Sequence, residues 1–244
     1  MSRQANAPFR AVLFDLDDTL LYDDMEGVFL KQYFGMLAEY ARPLTEPQTL
    51  MAALSAASRA MQQDQGPGGL TNEQKFASAF APPLGKPWEE LKAFFAGFYE
   101  EEFPTLQVHA HAHADARKAV QAAVNLGCQV VIATNPLFPA RAIEHRLAWT
   151  GIADVPFALV TAYENMHSCK PYPAYYCEIA GQIDVDPREC LMVGNDVMRD
   201  IAPAQQVGMA TFLAEEWITN PDPEVVADRT GTLADLIEWI TKPD

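Results

Sequence analysis

Cysteine is scarce and unpatterned in this chain. Cys128, Cys169, Cys177 and Cys190 are the only four, no two form a CxxC pair, and free thiols are the expected state. Basic residues are also few, 17 against 33 acidic, and the formal net charge of -16 repels nucleic-acid phosphates and anionic lipid headgroups. No apolar window approaches the length that spans a bilayer, and the first ten residues lack the apolar stretch of a signal peptide. A cytoplasmic protein with neither nucleic-acid nor membrane partners is therefore expected. Internal repeats and low-complexity segments are absent, and the Ala-rich stretch at 52–65 reads as helix. What remains is an ordinary folded composition of 244 residues, 49% hydrophobic and 20% charged.

Short apolar runs punctuate that composition. Ala11-Val12-Leu13-Phe14 ends abruptly in Asp15-Leu16-Asp17-Asp18-Thr19, which suits a buried strand delivering polar groups at its carboxyl end. Similar runs at 129–133, 157–160 and 190–193 lead into Thr134-Asn135, Thr161 and Gly194-Asn195-Asp196, and a fifth follows Gly208 at 210–213. Helical stretches at 114–126, 139–149 and 173–182 separate them. The alternation indicates an α/β fold: a Rossmann-like parallel sheet flanked by helices, with ligands gathered outside the carboxyl ends of its strands. From 22 to 109 the pattern is helical, at 28–41, 47–63, 71–79 and 88–102, with no convincing strand. Thr71 and Gln74 fit a capping box, 82–87 reads as a break, and a last helix is expected over 232–241. The expected organisation is a core of 1–21 and 110–244 with a helical domain, 22–109, inserted after the first strand.

The polar residues at the strand ends carry the chemical reading. Asp15 and Asp17 alternate along an extended segment, so their carboxylates project toward one region. Phosphoryl transfer to an aspartate needs one carboxylate to attack phosphorus and another group to protonate the leaving alcohol, a division of labour this pair suits. Asp196 and Asp200 share a helical face, and Asp196 could join Asp15 as an oxygen ligand of Mg2+. Lys170, between Cys169 and Pro171, could offset negative charge, and Thr134 could offer its hydroxyl to phosphate oxygens. Excess acid overall does not exclude a phosphorylated ligand, because one cation and one placed lysine invert the field inside a small pocket. Each element alone has a bland reading as an acidic turn, a helix start or a solvated loop lysine.

Taken in order, Asp15-x-Asp17-x-Thr19, Thr134, Lys170-Pro171 and Gly194-Asn195-Asp196-x-x-x-Asp200 resemble the haloacid dehalogenase superfamily and span nearly the whole core. The resemblance implies that 22–109 is a mobile cap over the core. It implies that Asp15 forms an aspartyl-phosphate, with Asp17 protonating the leaving group and then activating water. It further implies Mg2+ on Asp15, Asp196 and the backbone carbonyl of Asp17, phosphoryl oxygens held by Thr134 and Lys170 with Asn135 contributing through its backbone, and Asp200 as a supporting residue behind them. The expected substrate is a small phosphorylated metabolite. Members that cleave carbon-halogen bonds lack the second motif aspartate, so Asp17 favours phosphate. Sugar-phosphate mutases share the pair, and phosphonate-cleaving relatives use a cap lysine, for which Lys31, Lys75, Lys86 and Lys92 are available. A non-catalytic protein that keeps the fold to bind a ligand or partner is the alternative from another class.

His109, His111 and His113 alternate and could face one side of an extended segment, but a hinge or exposed turn explains them with less machinery. His145 has no obvious partner, and His167 is a candidate for the rim of the site. The aromatic residues of 22–109 recur at helical spacing and read chiefly as the core of that segment. Its loops, including Asp23, Asp24 and 66–70, are candidates for selecting the leaving group.

Overall fold

The computed structural model describes residues 9–22, 25–63 and 68–242. Six strands form one parallel sheet: β1 (Ala11–Phe14), β4 (Gln129–Ile132), β5 (Leu159–Val160), β6 (Cys190–Gly194), β7 (Ala210–Ala214) and β8 (Arg229–Gly231). Their order is β5-β4-β1-β6-β7-β8, so β1 lies centrally between β4 and β6. The strand order changes its direction of growth at β1, the position where ligand crevices open in parallel sheets.

The inner strands are largely continuous apolar runs because both faces are covered. Val12, Phe14, Val130, Ile132, Leu191 and Val193 point to one side, against α5 (Ala116–Asn125), α6 (Ala140–Thr150) and α9 (Leu233–Thr241). Their alternates Ala11, Leu13, Val131, Cys190 and Met192 point to the other, against α7 (Pro173–Gln182) and Ala204 of α8 (Ala202–Gln206). All four cysteines are free.

Between Tyr22 and His111 the described residues are helical: α1 (Leu30–Tyr40), α2 (Pro47–Met61), α3 (Asn72–Leu84) and α4 (Trp88–Gly97), with π turns at Met25–Phe29 and Phe98–Glu102 and a 3-10 turn at Phe103–His109. The Thr71–Gln74 capping box opens α3 as the sequence suggests. Three expectations need correction. The helix α3 runs through Pro82 and Pro83 instead of breaking there, since proline's fixed φ is helical and only the lost N-H groups oppose it; Gly85, at φ 66, ends it. The helix expected over 88–102 is α-helical only to Gly97. The strand expected over 157–160 pairs only at Leu159–Val160, because it is the edge of the sheet.

Two pairings were not foreseen. β8 extends the far edge of the sheet, and β2 (Leu21–Tyr22) pairs antiparallel with β3 (His111–Ala112), bringing together the two ends of the helical insertion. His111 lies in that ladder and His113 meets Glu216 at 3.1 Å, so these two of the three alternating histidines serve the junction. Among the described residues no three His, Cys, Asp or Glu side chains form a ready-made metal cluster. Asp23, Asp24, Gly66 and Pro67, named above as loop candidates, lie outside the described residues.

Candidate active site

The carboxyl ends of β1, β4 and β6 deliver the polar residues into one hollow of about 590 Å³, lined by Asp15, Asp17, Asp18, Asn135, Lys170, Asn195, Asp196 and Asp200 among others. Lys170 is its centre of charge. Its side chain is 3% exposed, and its Nζ donates to Asp15 Oδ1 at 2.6 Å and to Asp200 Oδ1 at 2.5 Å. Burial works against the ammonium, but Asp15 and Asp200 outweigh it and hold Lys170 well above the ordinary lysine value. Burial pushes the Asp200 carboxyl up to about 7, with the Lys170 ammonium opposing.

Asp200 is fixed from its other side, accepting the Asp196 backbone N-H at 3.0 Å. The approach depends on Gly194: a Cβ there would meet Asp200 Oδ2 at 2.2 Å. Asp196 caps the turn that follows, accepting from the N-H groups of Met198 and Arg199 at 3.0 and 2.9 Å, while Asn220 donates to its other oxygen at 2.6 Å. Thr19 ties β1 to β6, its hydroxyl donating to Asn195 Oδ1 at 3.2 Å.

Asp17 departs from a simple carboxylate pair. Its side chain, 26% exposed, is ion-paired to the fully buried Arg146 of α6. Arg146 also lies 5.3 Å from the ring centroid of Phe29 and 5.8 Å from that of Phe138. Burial lowers its guanidinium to about 9, partly offset by the charge of Asp15, so it remains cationic at neutral pH.

Thr134 is buried just after β4, its carbonyl accepting from the hydroxyls of Thr161 at 2.7 Å and Tyr175 at 2.8 Å. Asn135 faces the hollow and uses its side-chain oxygen to accept the Lys170 backbone N-H at 3.3 Å. The structure thus brings Asp15, Asp17, Asn135, Lys170, Asp196 and Asp200 to one cavity, while Thr134, next to Asn135 in the chain, does not line it. His167 stays apart as a strut, 2.8 Å from Glu178, and His145 meets the Tyr99 carbonyl at 2.9 Å.

Sequence reasoning missed Arg146 and Asn220. Arg146 carried a signal, since it falls on the inward stripe of α6 with Ala142, Ile143, Leu147 and Thr150, where a charged residue demands a partner. Asn220 sits in an irregular loop and offered none.

The donor set suits a hard divalent cation. Five carboxylates and two cationic side chains line the hollow, every side-chain donor among the carboxylates is oxygen, and Mg2+ commonly takes one or two carboxylates with water and phosphate completing its shell.

The fold and this strand-end constellation define a hydrolase of the haloacid dehalogenase type. The model of haloacid dehalogenase-like hydrolases matches residues 9–208, and the chain belongs to that family. It is similar to a phosphoglycolate phosphatase of Xanthomonas campestris pv. campestris, 31% identical over 206 residues, covering 84% of this chain and 82% of the relative. It is also similar to an N-acetylmuramic acid 6-phosphate phosphatase of Pseudomonas putida, 28% identical over 241 residues, covering 94% of this chain and 96% of the relative. Among solved structures, a 2-haloacid dehalogenase from Pseudomonas syringae pv. Tomato shares the fold at TM-score 0.62 and 19% identity, over 94% of this chain and 97% of that one.

Proposed function

We propose that the protein is a Mg2+-dependent phosphatase that hydrolyses a small phosphorylated metabolite through an aspartyl-phosphate on Asp15. The observation that carries this reading is the double contact of Lys170 with Asp15 and Asp200 in a hollow shared with Asp17 and Asp196. Relatives named as phosphatases of phosphoglycolate and of N-acetylmuramic acid 6-phosphate support the reaction class.

An oxygen of Asp15 attacks phosphorus, the phosphorus-oxygen bond to the alcohol breaks, and Asp17, which takes up a proton on its oxygen away from Arg146 when the ester binds, gives that proton to the departing oxygen. Asp17 then takes a proton from water, whose oxygen attacks the phosphorus and releases phosphate from Asp15. Lys170 and the groups at Thr134 and Asn135 hold the phosphoryl oxygens, providing the positioning and charge that this reaction mostly requires. Mg2+, when bound by Asp15, Asp196 and the Asp17 carbonyl, supplies further neutralisation of phosphate charge. Asp200 orients Lys170 and fixes the backbone that presents Asp196.

The segment 22–109 acts in this reading as a cap over a core of 1–21 and 110–244, excluding water from the reacting centre. A cytoplasmic setting belongs to the same proposal and is supported by four unpaired thiols. The phosphonate-cleaving alternative is disfavoured by the lysines of the cap. Lys92 donates to Glu73 at 2.5 Å, a contact that raises it above the ordinary value when a Schiff base needs the neutral amine. Lys75 is buried and bonded to Asn72 at 3.3 Å and to the His167 carbonyl.

Phosphate release from 4-nitrophenyl phosphate with and without Mg2+ tests the reading. Release that requires Mg2+ and disappears in Asp15→Asn is expected; undiminished turnover in that variant refutes it. A mutase would instead need a bisphosphate activator and yield an isomer without net release of phosphate.

A further inference from the structure

A second cavity, of about 550 Å³, adjoins the catalytic hollow and shares Asp17, Asn135 and Arg199 with it. Its walls are mainly apolar, and Tyr33, Phe34, Phe76, Phe80, Trp88 and Phe95 all face it from the helical insertion. These rings already pack on one another, with centroids 4.8 Å apart for Phe76–Phe80, 5.6 Å for Phe76–Trp88 and 5.7 Å for Phe80–Phe95. They form a preshaped wall of the size and apolar character that receives a substantial organic ligand.

The charges of the wall cancel. Asp17, Glu100 and Glu164 face Lys92, Arg141 and Arg199, and both Lys92 and Arg141 already have close carboxylate partners. Lys92 pairs with Glu73 at 2.5 Å, Arg141 with Glu100 at 2.7 Å and Glu144 at 2.9 Å, and Arg199 with Asp196 at 3.8 Å. Deeper in the cavity, away from the half-exposed Arg199, a carboxylate on the leaving group would have to displace a partner of Lys92 or Arg141 or lie unpaired against aromatic rings, either of which is unfavourable. A neutral ring meets the opposite conditions, since the apolar faces take its surface and the Tyr33 and Tyr99 hydroxyls, 2.8 Å apart, are neutral hydrogen-bonding groups at the same wall.

Asp17 stands at the boundary of the two spaces. On the phosphatase reading, on which this inference rests, the oxygen that receives its proton belongs to the alcohol. We propose that this alcohol is bulky, uncharged and ring-bearing, and that the aromatic cavity takes it as the leaving group, in preference to a two-carbon acid such as glycolate.

The test compares 2-phenylethyl phosphate with ethyl phosphate, alkyl esters whose leaving groups differ in bulk far more than in acidity, and with phosphoglycolate, all with Mg2+ and the full chain. Burial of one phenyl group predicts a kcat/KM for the phenylethyl ester at least about 30-fold above that for the ethyl ester. Ser58→Trp and Ala96→Trp, two substitutions that place bulk in the cavity from different helices, are each expected to lower that ratio at least about fivefold; melting curves establish that they fold. Ala96 is exposed at the cavity rim, which favours its folding. A ratio near one, a preference for phosphoglycolate, or a ratio unmoved in both folded variants overturns the inference. If Asp15→Asn still abolishes turnover in those cases, the phosphatase reading stands without it. If none of the esters, nor 4-nitrophenyl phosphate, is hydrolysed, both fall.

Discussion

Arg146, wholly buried on α6, is ion-paired to Asp17, the residue proposed to move the proton in catalysis. The pair sets the carboxylate's direction from a helix that belongs to the sheet layer while Phe29, from the insertion, lies over the guanidinium. Arg146→Met removes the charge and keeps much of the volume. The expected loss of stability is about 2–3 kcal/mol, below the roughly 3–5 of a fully buried pair because Asp17 keeps contact with solvent. In turnover, kcat should fall more than KM rises, since a proton donor is misplaced while phosphate binding is retained. Urea unfolding and steady-state kinetics measure the two effects.

Lys170 compensates two carboxylates at once, so Lys170→Met should cost more than a surface lysine ever does. A loss of about 3–5 kcal/mol is expected, with turnover abolished. Adding Asp200→Asn to that variant removes one uncompensated charge and should recover part of the stability and none of the activity. Denaturant midpoints of the two variants against wild type decide the point.

Gly194 is required by proximity alone, since its φ is ordinary and a Cβ would strike the Asp200 carboxylate. Gly194→Ala should destabilise by about 1–3 kcal/mol and impair catalysis by shifting the group that orients Lys170. Gly35→Ala, where a Cβ meets nothing within 4 Å, serves as the control and should be nearly neutral or mildly stabilising in its helix. Thermal melting separates them.

The thiols should react unequally. Burial pushes Cys169 and Cys190 up to about 12 and raises Cys128 as well, so at pH 8 these remain protonated thiols and poor nucleophiles; Cys177 is exposed. Brief treatment of the folded protein with iodoacetamide at pH 8, read by peptide mass spectrometry, should label Cys177 first. Denaturation should equalise all four.

Much of this was legible in the residues. Apolar runs that stop at polar clusters located β1, β4, β6 and β7, because strands covered on both faces must be continuously apolar. The capping box at Thr71 was a local signal that the fold kept. The edge strand β5 was overextended and β8, at Arg229-Thr230-Gly231, was overlooked, since an edge strand is short and half-exposed and has no uniform apolar run to announce it. Of the cavity, the acidic and basic residues at the strand ends could be named, but their partners could not. Asn220 approaches Asp196 from a loop twenty-four residues away, and no periodicity encodes that contact. The aromatic residues of the insertion read as its packing core, which they also are; that one side of several remains open as a cavity wall is a property of how four helices meet, and local sequence does not contain it.

The two-rung ladder between Leu21–Tyr22 and His111–Ala112 has a consequence for how such a molecule diversifies. The chain leaves the sheet and returns to it at neighbouring backbone positions, separated by about 5 Å as antiparallel partners are. A segment whose own ends lie that close can therefore stand between Tyr22 and His111 with the strand order kept, although α3 of the present insertion also steadies the loop before Lys170, Asn72 donating to the Ser168 carbonyl at 3.2 Å. The insertion is then the exchangeable part, and the strand-end carboxylates the fixed one.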